Sequence, residues 1–207
     1  MKFEAFNWQE LPESIIIGVD EVGRGCLAGP VYSACAIIDT SKEFKHFKDS
    51  KSLTAKKRET LAEDIEANHR VVLGEASVDE IADINILHAS LLSMKRAFLN
   101  LGIPESEWKN CHLLVDGKIT VPGLPGLKQT PLIKGDQRAT PIAAASIFAK
   151  VKRDALLTEY SEKYPEYGFE NHKAYATKEH KEAIQKYGPC PHHRKKFAGV
   201  REYWPAN

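Results

Sequence analysis

Carboxylates set where apolar runs end carry the chemistry this sequence suggests. Residues 15–30 read Ile-Ile-Ile-Gly-Val-Asp-Glu-Val-Gly-Arg-Gly-Cys-Leu-Ala-Gly-Pro, a β-branched run that delivers Asp20 and Glu21 into a glycine-rich bend. Ile15, Ile16, Ile17 and Val19 predict a strand buried on both faces. Two ionised carboxylates on such a strand are costly unless a cation sits beside them, and a divalent ion is the natural partner. Successive strand residues point to opposite faces, so both side chains serve one site only if Glu21 lies in the bend or reaches the site through a relay. Asp116 follows the apolar run Cys111 to Val115 and precedes Gly117, repeating the pattern. Asp136, between Lys134 and Arg138 after Pro131-Leu132-Ile133, repeats it again. Any one of these acids is equally well a turn residue, but ligands of open α/β sheets gather at strand ends, so the recurrence makes them candidates for one site.

Gly23, Gly25 and Gly29 permit backbone angles and a close ligand approach that a Cβ forbids, and Arg24 sets a cation among them. Gly23 to Ala28 also fits the dinucleotide fingerprint Gly-X-Gly-X-X-Gly/Ala, but that fingerprint opens a helix, whereas Pro30 here leads into a second predicted strand at 31–38. A phosphate cradle remains; a nicotinamide cofactor is disfavoured. The Gly-X-X-X-X-Gly-Lys-Ser/Thr loop of a simple phosphotransferase is absent from the sequence. A noncatalytic nucleic-acid-binding module would use basic and aromatic patches but has no need of carboxylates at three strand ends.

The 207 residues, with 43% hydrophobic and 28% charged content, suit one soluble globular domain with a small appendage. No apolar run has membrane-spanning length and the N-terminus lacks a signal-peptide core, so a cytoplasmic protein is expected. Cys26, Cys35 and Cys111 lie in or beside apolar stretches and are expected to be reduced. Cys190, with His192 and His193, lacks a second ligand pair for zinc. A net charge of +1 excludes a globally basic coat. Local patches remain: Lys45, Lys48, Lys51, Lys56, Lys57 and Arg58 crowd one region, and five Lys/Arg residues from Lys186 to Arg201 have no acid between them. Two basic clusters around an acidic centre suit tracking of a phosphate backbone.

In chain order, residues 1–14 read as a loosely held segment. A helix is predicted at 55–67, with Leu61 and Ile65 on one face, and a strand at 70–78. Ser77 and Glu80 form a capping box for a helix with an apolar stripe of Leu87, Leu91, Met94 and Phe98, stopping at Gly102. Residues 119–130 are rich in proline and glycine and predict an exposed loop. Thr140 as cap and Pro141 at the first helical position begin an alanine-rich helix able to pack close to the sheet. Beyond residue 160, Tyr164, Tyr167, Phe169, His172, Lys173, Tyr175 and Lys178 interleave rings with cations. That composition stacks on sugars or bases while holding phosphates, and equally anchors a loop-rich appendage. Thr177 caps a last helix ending near Gly188, and His192 to Lys196 form a basic tail. The expected division is a catalytic domain at 1–160 and a helical, basic extension at 161–207.

Asp20-Glu21-Val22-Gly23-Arg24-Gly25, Asp49-Ser50-Lys51, Val115-Asp116-Gly117, Lys134-Gly135-Asp136 and His172-Lys173-Ala174-Tyr175 follow one another in the order seen in bacterial ribonuclease HII, the type 2 ribonuclease H family. The chain resembles that family from Ile15 to about Phe197. The resemblance implies an α/β ribonuclease-H-like fold, a mixed central sheet flanked by helices with a small C-terminal helical part. It implies an endonuclease dependent on two Mg²⁺ or Mn²⁺ ions, which cuts the RNA strand of RNA–DNA hybrids and incises duplex DNA 5′ to embedded ribonucleotides, leaving 3′-hydroxyl and 5′-phosphate ends. Asp20, Glu21, Asp116 and Asp136 would be its metal-binding carboxylates. Gly23, Arg24 and Gly25 would read the ribose 2′-OH, Ser50 and Lys51 would touch substrate, and Tyr175 would stack on the deoxyribose that follows. A cytoplasmic monomer is expected. Asp154 is either an extra acid near the metals or a partner of Lys150 or Arg153. Arg138 and Thr140 stand where Lys and Ser are common, and Ala174 replaces the usual Gly, which bears on the placement of Tyr175.

Overall fold

β-Branched and small apolar residues build the centre of the molecule, whose computed structural model describes residues 4–44, 46–47 and 53–205. Ser50 and Lys51 lie outside the described residues. The strands are β1 (Ile15–Val22), β2 (Val31–Ile37), β3 (Arg70–Ala76), β4 (Cys111–Asp116) and β5 (Lys128–Leu132). They form a five-stranded sheet in the order β3-β2-β1-β4-β5. β1, β2 and β3 pair antiparallel, while β4 runs parallel to β1 and β5 parallel to β4. The central strand is covered on both faces, as its continuous apolar run requires.

Alternation along β1 assigns the faces. Ile16 packs with Leu61 and Ile65 of α1 (Ala55–Asn68) and with Ile142 and Phe148 of α3 (Thr140–Lys163). Ile17 and Val19 pack with Met94 and Phe98 of α2 (Val78–Asn100). Gly18 is where α3 meets the sheet: a Cβ there would lie 2.1 Å from the Pro141 carbonyl carbon. A third apolar cluster joins Cys26, Leu27 and Ala28 of the β1–β2 loop to Leu157 of α3. From the C-terminal part it takes Phe169 of α4 (Phe169–His172) and Ile184 of α5 (Lys178–Tyr187). Among the described residues no helix is long and apolar enough to cross a membrane.

Several expectations change. The N-terminal segment is held: Trp8 is buried, the Phe6 N–H donates to the Arg138 carbonyl at 2.8 Å, and Glu13 bonds His112 at 2.9 Å. Residues 128–130, predicted as loop, belong to β5 because β4 offers them a parallel partner, and Pro131 is tolerated on that edge strand. Thr140 does not cap α3; Ala139 is the N-cap, with no side-chain bond. α2 is kinked at Asn85 (φ 65°, ψ 166°), whose Oδ1 accepts the N–H groups of Leu87 and His88 and restarts the helix. The predicted stripe lies wholly beyond the kink and is buried only at its far end: Met94 and Phe98 are core, but Leu87, in the first turn after Asn85, is exposed. His193 and Arg194 are buried rather than parts of a basic tail. The β1–β2 loop contains no helix, contrary to a dinucleotide fingerprint.

Gly18→Ala should destabilise the protein by about 1–3 kcal/mol through overpacking against α3, lowering Tm by about 2–10 °C. Thermal unfolding checks this, and an unchanged Tm would contradict the close helix–sheet approach.

Candidate active site

Asp20, Glu21 and Asp116 come together at the carboxyl ends of β1 and β4, one oxygen from each lying within 4.8 Å of the others. Asp20 faces α3 from the middle of the sheet and is only 6% exposed. Its Oδ1 accepts the Glu21 N–H at 2.7 Å, and the Ser146 hydroxyl of α3 donates to it. Asp116 Oδ1 accepts the Gly135 N–H at 2.7 Å, which ties the end of β4 to the turn carrying Asp136. Glu21 is neither in a bend nor joined by a relay: it lies in regular strand, paired with Ser33. β4 pairs with β1 only as far as Val19 and Val115, so no β4 residue is paired with Glu21, and its carboxylate meets the other two at that open side of the strand. Arg24 holds it, Nη1 to Oε1 at 3.2 Å. Asp136 sits not on a strand but in a buried 3₁₀ turn, Gly135–Gln137, outside the three-carboxylate group.

Burial pushes the Asp20 carboxyl well above the usual carboxylate range, and the charges of Glu21, Asp116 and Asp136 push it the same way, against the Ser146 bond. Burial also raises Glu21, with Arg24 opposing. Desolvated like charges of this kind are relieved by a cation. The donors are all carboxylate oxygens, so the set fits a hard divalent ion such as Mg²⁺ or Mn²⁺ rather than a thiophilic one.

A cavity of ≈ 230 Å³ adjoins these acids, with Gly25, Ser146 and Lys150 in its wall. It shares Arg58, Lys150 and Tyr175 with a groove of ≈ 800 Å³ that continues to Thr158 and Lys173. The glycines differ in purpose. At Gly23 (φ +95°) a Cβ would lie 2.3 Å from Arg153 Nε, so that glycine serves packing; at Gly25 it would meet nothing within 4 Å, so that backbone is open to a ligand. Tyr175 is 43% exposed, with Lys150 Nζ 5.5 Å from its ring centre. Of the two readings open for the aromatic residues beyond 160, Tyr167 and Phe169 take that of anchors, buried in the third apolar cluster. Asp154 pairs with Lys150 at 2.7 Å and lies outside the three-carboxylate group. Ser146 and Lys150 escape sequence reasoning as site residues, although with Asp154 they form an i, i+4, i+8 polar row on a helix whose first half is otherwise apolar.

A chain of imidazoles holds the backbone of Tyr175. The Cys190 N–H donates to His193 Nδ1 at 2.9 Å, His193 Nε2 and His180 Nε2 are 3.0 Å apart, and His180 Nδ1 lies 2.9 Å from the Tyr175 carbonyl. A peptide N–H only donates and a carbonyl only accepts, so His193 carries its proton on Nε2 and His180 on Nδ1. An added proton would set donor against donor, and burial lowers His180 to about 4 and His193 to about 3. Ala174 adopts φ 65°, so the backbone before Tyr175 keeps a glycine-like turn despite the Cβ.

A mixed sheet with helices on both faces and a carboxylate cluster where its central strands end defines an α/β protein of the ribonuclease-H-like class. The family model described as Ribonuclease HII matches residues 17–201. Ribonuclease HII of Pelagibacter ubique (strain HTCC1062) is 47% identical over 188 residues, covering 91% of this chain and 98% of that protein. Among solved structures, the PCNA:RNase HII complex from Archaeoglobus fulgidus contains a chain matching with TM-score 0.74 and 25% identity over 88% of this chain and 95% of that one. Ribonuclease H2 from Pyrococcus horikoshii OT3 matches with TM-score 0.73 and 26% identity, over 91% and 96%. The chain belongs to the ribonuclease HII family, hydrolases that cleave the RNA of RNA–DNA hybrids.

Asp20→Asn should stabilise the metal-free protein by about 1–2 kcal/mol, since it removes a buried charge from a repulsive cluster, and raise Tm in chelator by about 2–8 °C. A fall in Tm would contradict the repulsion. The depressed histidines act in the opposite direction: the unfolded chain takes protons that the folded one refuses. Their contribution is whole above the ordinary value of 6.5 and declines as pH falls toward about 4. Tm measured in chelator between those pH values should therefore fall less steeply for His193→Gln than for the unsubstituted protein, and equal slopes would contradict the neutral chain.

Proposed function

We propose that this protein incises duplex DNA on the 5′ side of an embedded ribonucleotide, besides cutting the RNA strand of hybrids, with two divalent ions at Asp20, Glu21, Asp116 and Asp136. The observation that carries this is the group of three carboxylates, their oxygens within 4.8 Å, opening onto a cation-lined groove that also contains the exposed Tyr175 ring. Bound there, Mg²⁺ or Mn²⁺ would supply a water of lowered pKa and neutralise charge on the scissile phosphate and the leaving 3′ oxygen. The chain's own groups do the selecting. Arg58, Lys150 and Lys173 line the path and would hold phosphates, with Ser50 and Lys51 as further substrate contacts. The open backbone at Gly25, flanked by Gly23 and Arg24, would approach a ribose 2′-OH, a group that both donates and accepts. A ring at Tyr175 against the next sugar leaves no space for a second hydroxyl, so the two contacts together select an RNA-to-DNA junction. Departure of the 3′ oxygen yields 3′-hydroxyl and 5′-phosphate ends. Every residue invoked belongs to one chain, so a monomer suffices.

A duplex with one ribonucleotide should be cut on its 5′ side in Mg²⁺ or Mn²⁺ and remain intact in chelator. Asp116→Asn should lower the rate by about a hundredfold or more. Undiminished cutting by that variant would overturn the site assignment, and cutting of uniform hybrids alone would overturn the junction selectivity.

A further inference from the structure

Arg153, on α3, and Arg194 head the largest fully buried side chains, at 0% and 1% exposure. Among the described residues neither pairs with a carboxylate. A buried cation without a counter-ion is costly unless hydrogen bonds saturate it. Here backbone carbonyls do so. Arg153 donates from Nε to Pro30 O at 3.1 Å, from Nη2 to Ala28 O at 2.9 Å and from Nη1 to Lys173 O at 3.2 Å. Arg194 donates from Nε to Gly29 O at 2.9 Å, from Nη1 to Arg24 O at 2.9 Å and from Nη2 to Pro30 O at 3.3 Å. Five of these six bonds end in the β1–β2 loop, and the sixth ends two residues before Tyr175.

The arrangement has two consequences. A trans peptide points its N–H opposite to its C=O, so drawing the Arg24 carbonyl inward turns the Gly25 N–H away from the buried guanidinium. A cation on the carbonyl also polarises that peptide and strengthens its N–H as a donor. Second, Arg153 spans from the loop to the segment that carries Tyr175. The Leu27 N–H adds a bond to the Ala174 carbonyl at 2.8 Å, and the Arg194 N–H one to the Leu27 carbonyl at 2.8 Å. The loop and Tyr175 therefore share one rigid mount. Gly23 is part of it, since a Cβ there would strike Arg153.

We propose that Arg153 and Arg194 are positioning residues that fix the separation between the Gly25 backbone and the Tyr175 ring, and that this separation sets the preference for a ribose followed by a deoxyribose. The proposal rests on the reading of these two groups as sugar contacts. A planar guanidinium fork meets three carbonyls in fixed directions, which a compact ammonium of equal charge does not. Arg→Lys therefore removes the geometry and keeps the charge.

The test uses the full chain in Mg²⁺ with Arg194→Lys and Arg153→Lys. It measures kcat/KM and the cut position on a single-ribonucleotide duplex and on a uniform RNA–DNA hybrid, after thermal unfolding has shown each variant to be folded at the assay temperature. The single-ribonucleotide to hybrid ratio should fall about tenfold or more, and cuts should spread from the 5′ side of the ribonucleotide. Gly29→Ala strains the same mount, both at its left-handed backbone (φ +79°) and by a Cβ 3.3 Å from Arg153 Nη2, and should shift the ratio in the same direction, should a lysine variant not fold. A ratio within about twofold of the unsubstituted protein and an unmoved cut would overturn the clamp, whether both rates fall together or neither changes. An unsubstituted protein that cuts neither duplex would instead remove the reading beneath it.

Discussion

The structure depends on one unfavourable arrangement, a buried carboxylate at the end of the central strand with like charges gathered around it. Asp20 is desolvated, adjacent to Glu21 and Asp116, and within the field of Asp136. Much of the fold holds this arrangement in place. Gly18 lets α3 close on the sheet and brings Ser146 to Asp20. The pairing of β4 with β1 stops at Val115, which leaves the end of β1 paired on its β2 side alone, and the Gly135 N–H fixes Asp116. Stability and function oppose each other here, as they do in sites built to receive a cation.

The C-terminal part supplies the second half of the arrangement. It brings Tyr175 beside the β1–β2 loop through an apolar cluster, two buried guanidiniums and a chain of neutral imidazoles. The guanidiniums and the ends of the imidazole chain bond backbone atoms, so placement is set before any ligand arrives. Preorganisation of this kind lets contacts to a small sugar discriminate.

The sequence makes the strands, the acids at their ends and the close-packing helix legible, because burial along one element follows its own period. It is silent where a second element decides the outcome. Alternation argues against Glu21 joining Asp20, and only the early end of β4 pairing permits it. Gly23 reads as room for a ligand until Arg153 fills that space. Arg194 and His193 read as parts of a basic tail because composition does not tell which cation finds five carbonyls to share with a neighbour, or which imidazole finds a partner across the fold. Ser146 reads as a small packing residue; its hydroxyl gains a role only from Asp20. Lys128 to Thr130 look like loop until β4 pairs with them.

Crystals soaked with Mn²⁺ and examined by anomalous scattering test the central claim most directly, since they locate the ion without reference to activity. Anomalous density among Asp20, Glu21 and Asp116, lost in Asp20→Asn, is the predicted result. Density confined to other acids, with none among these three, would contradict it.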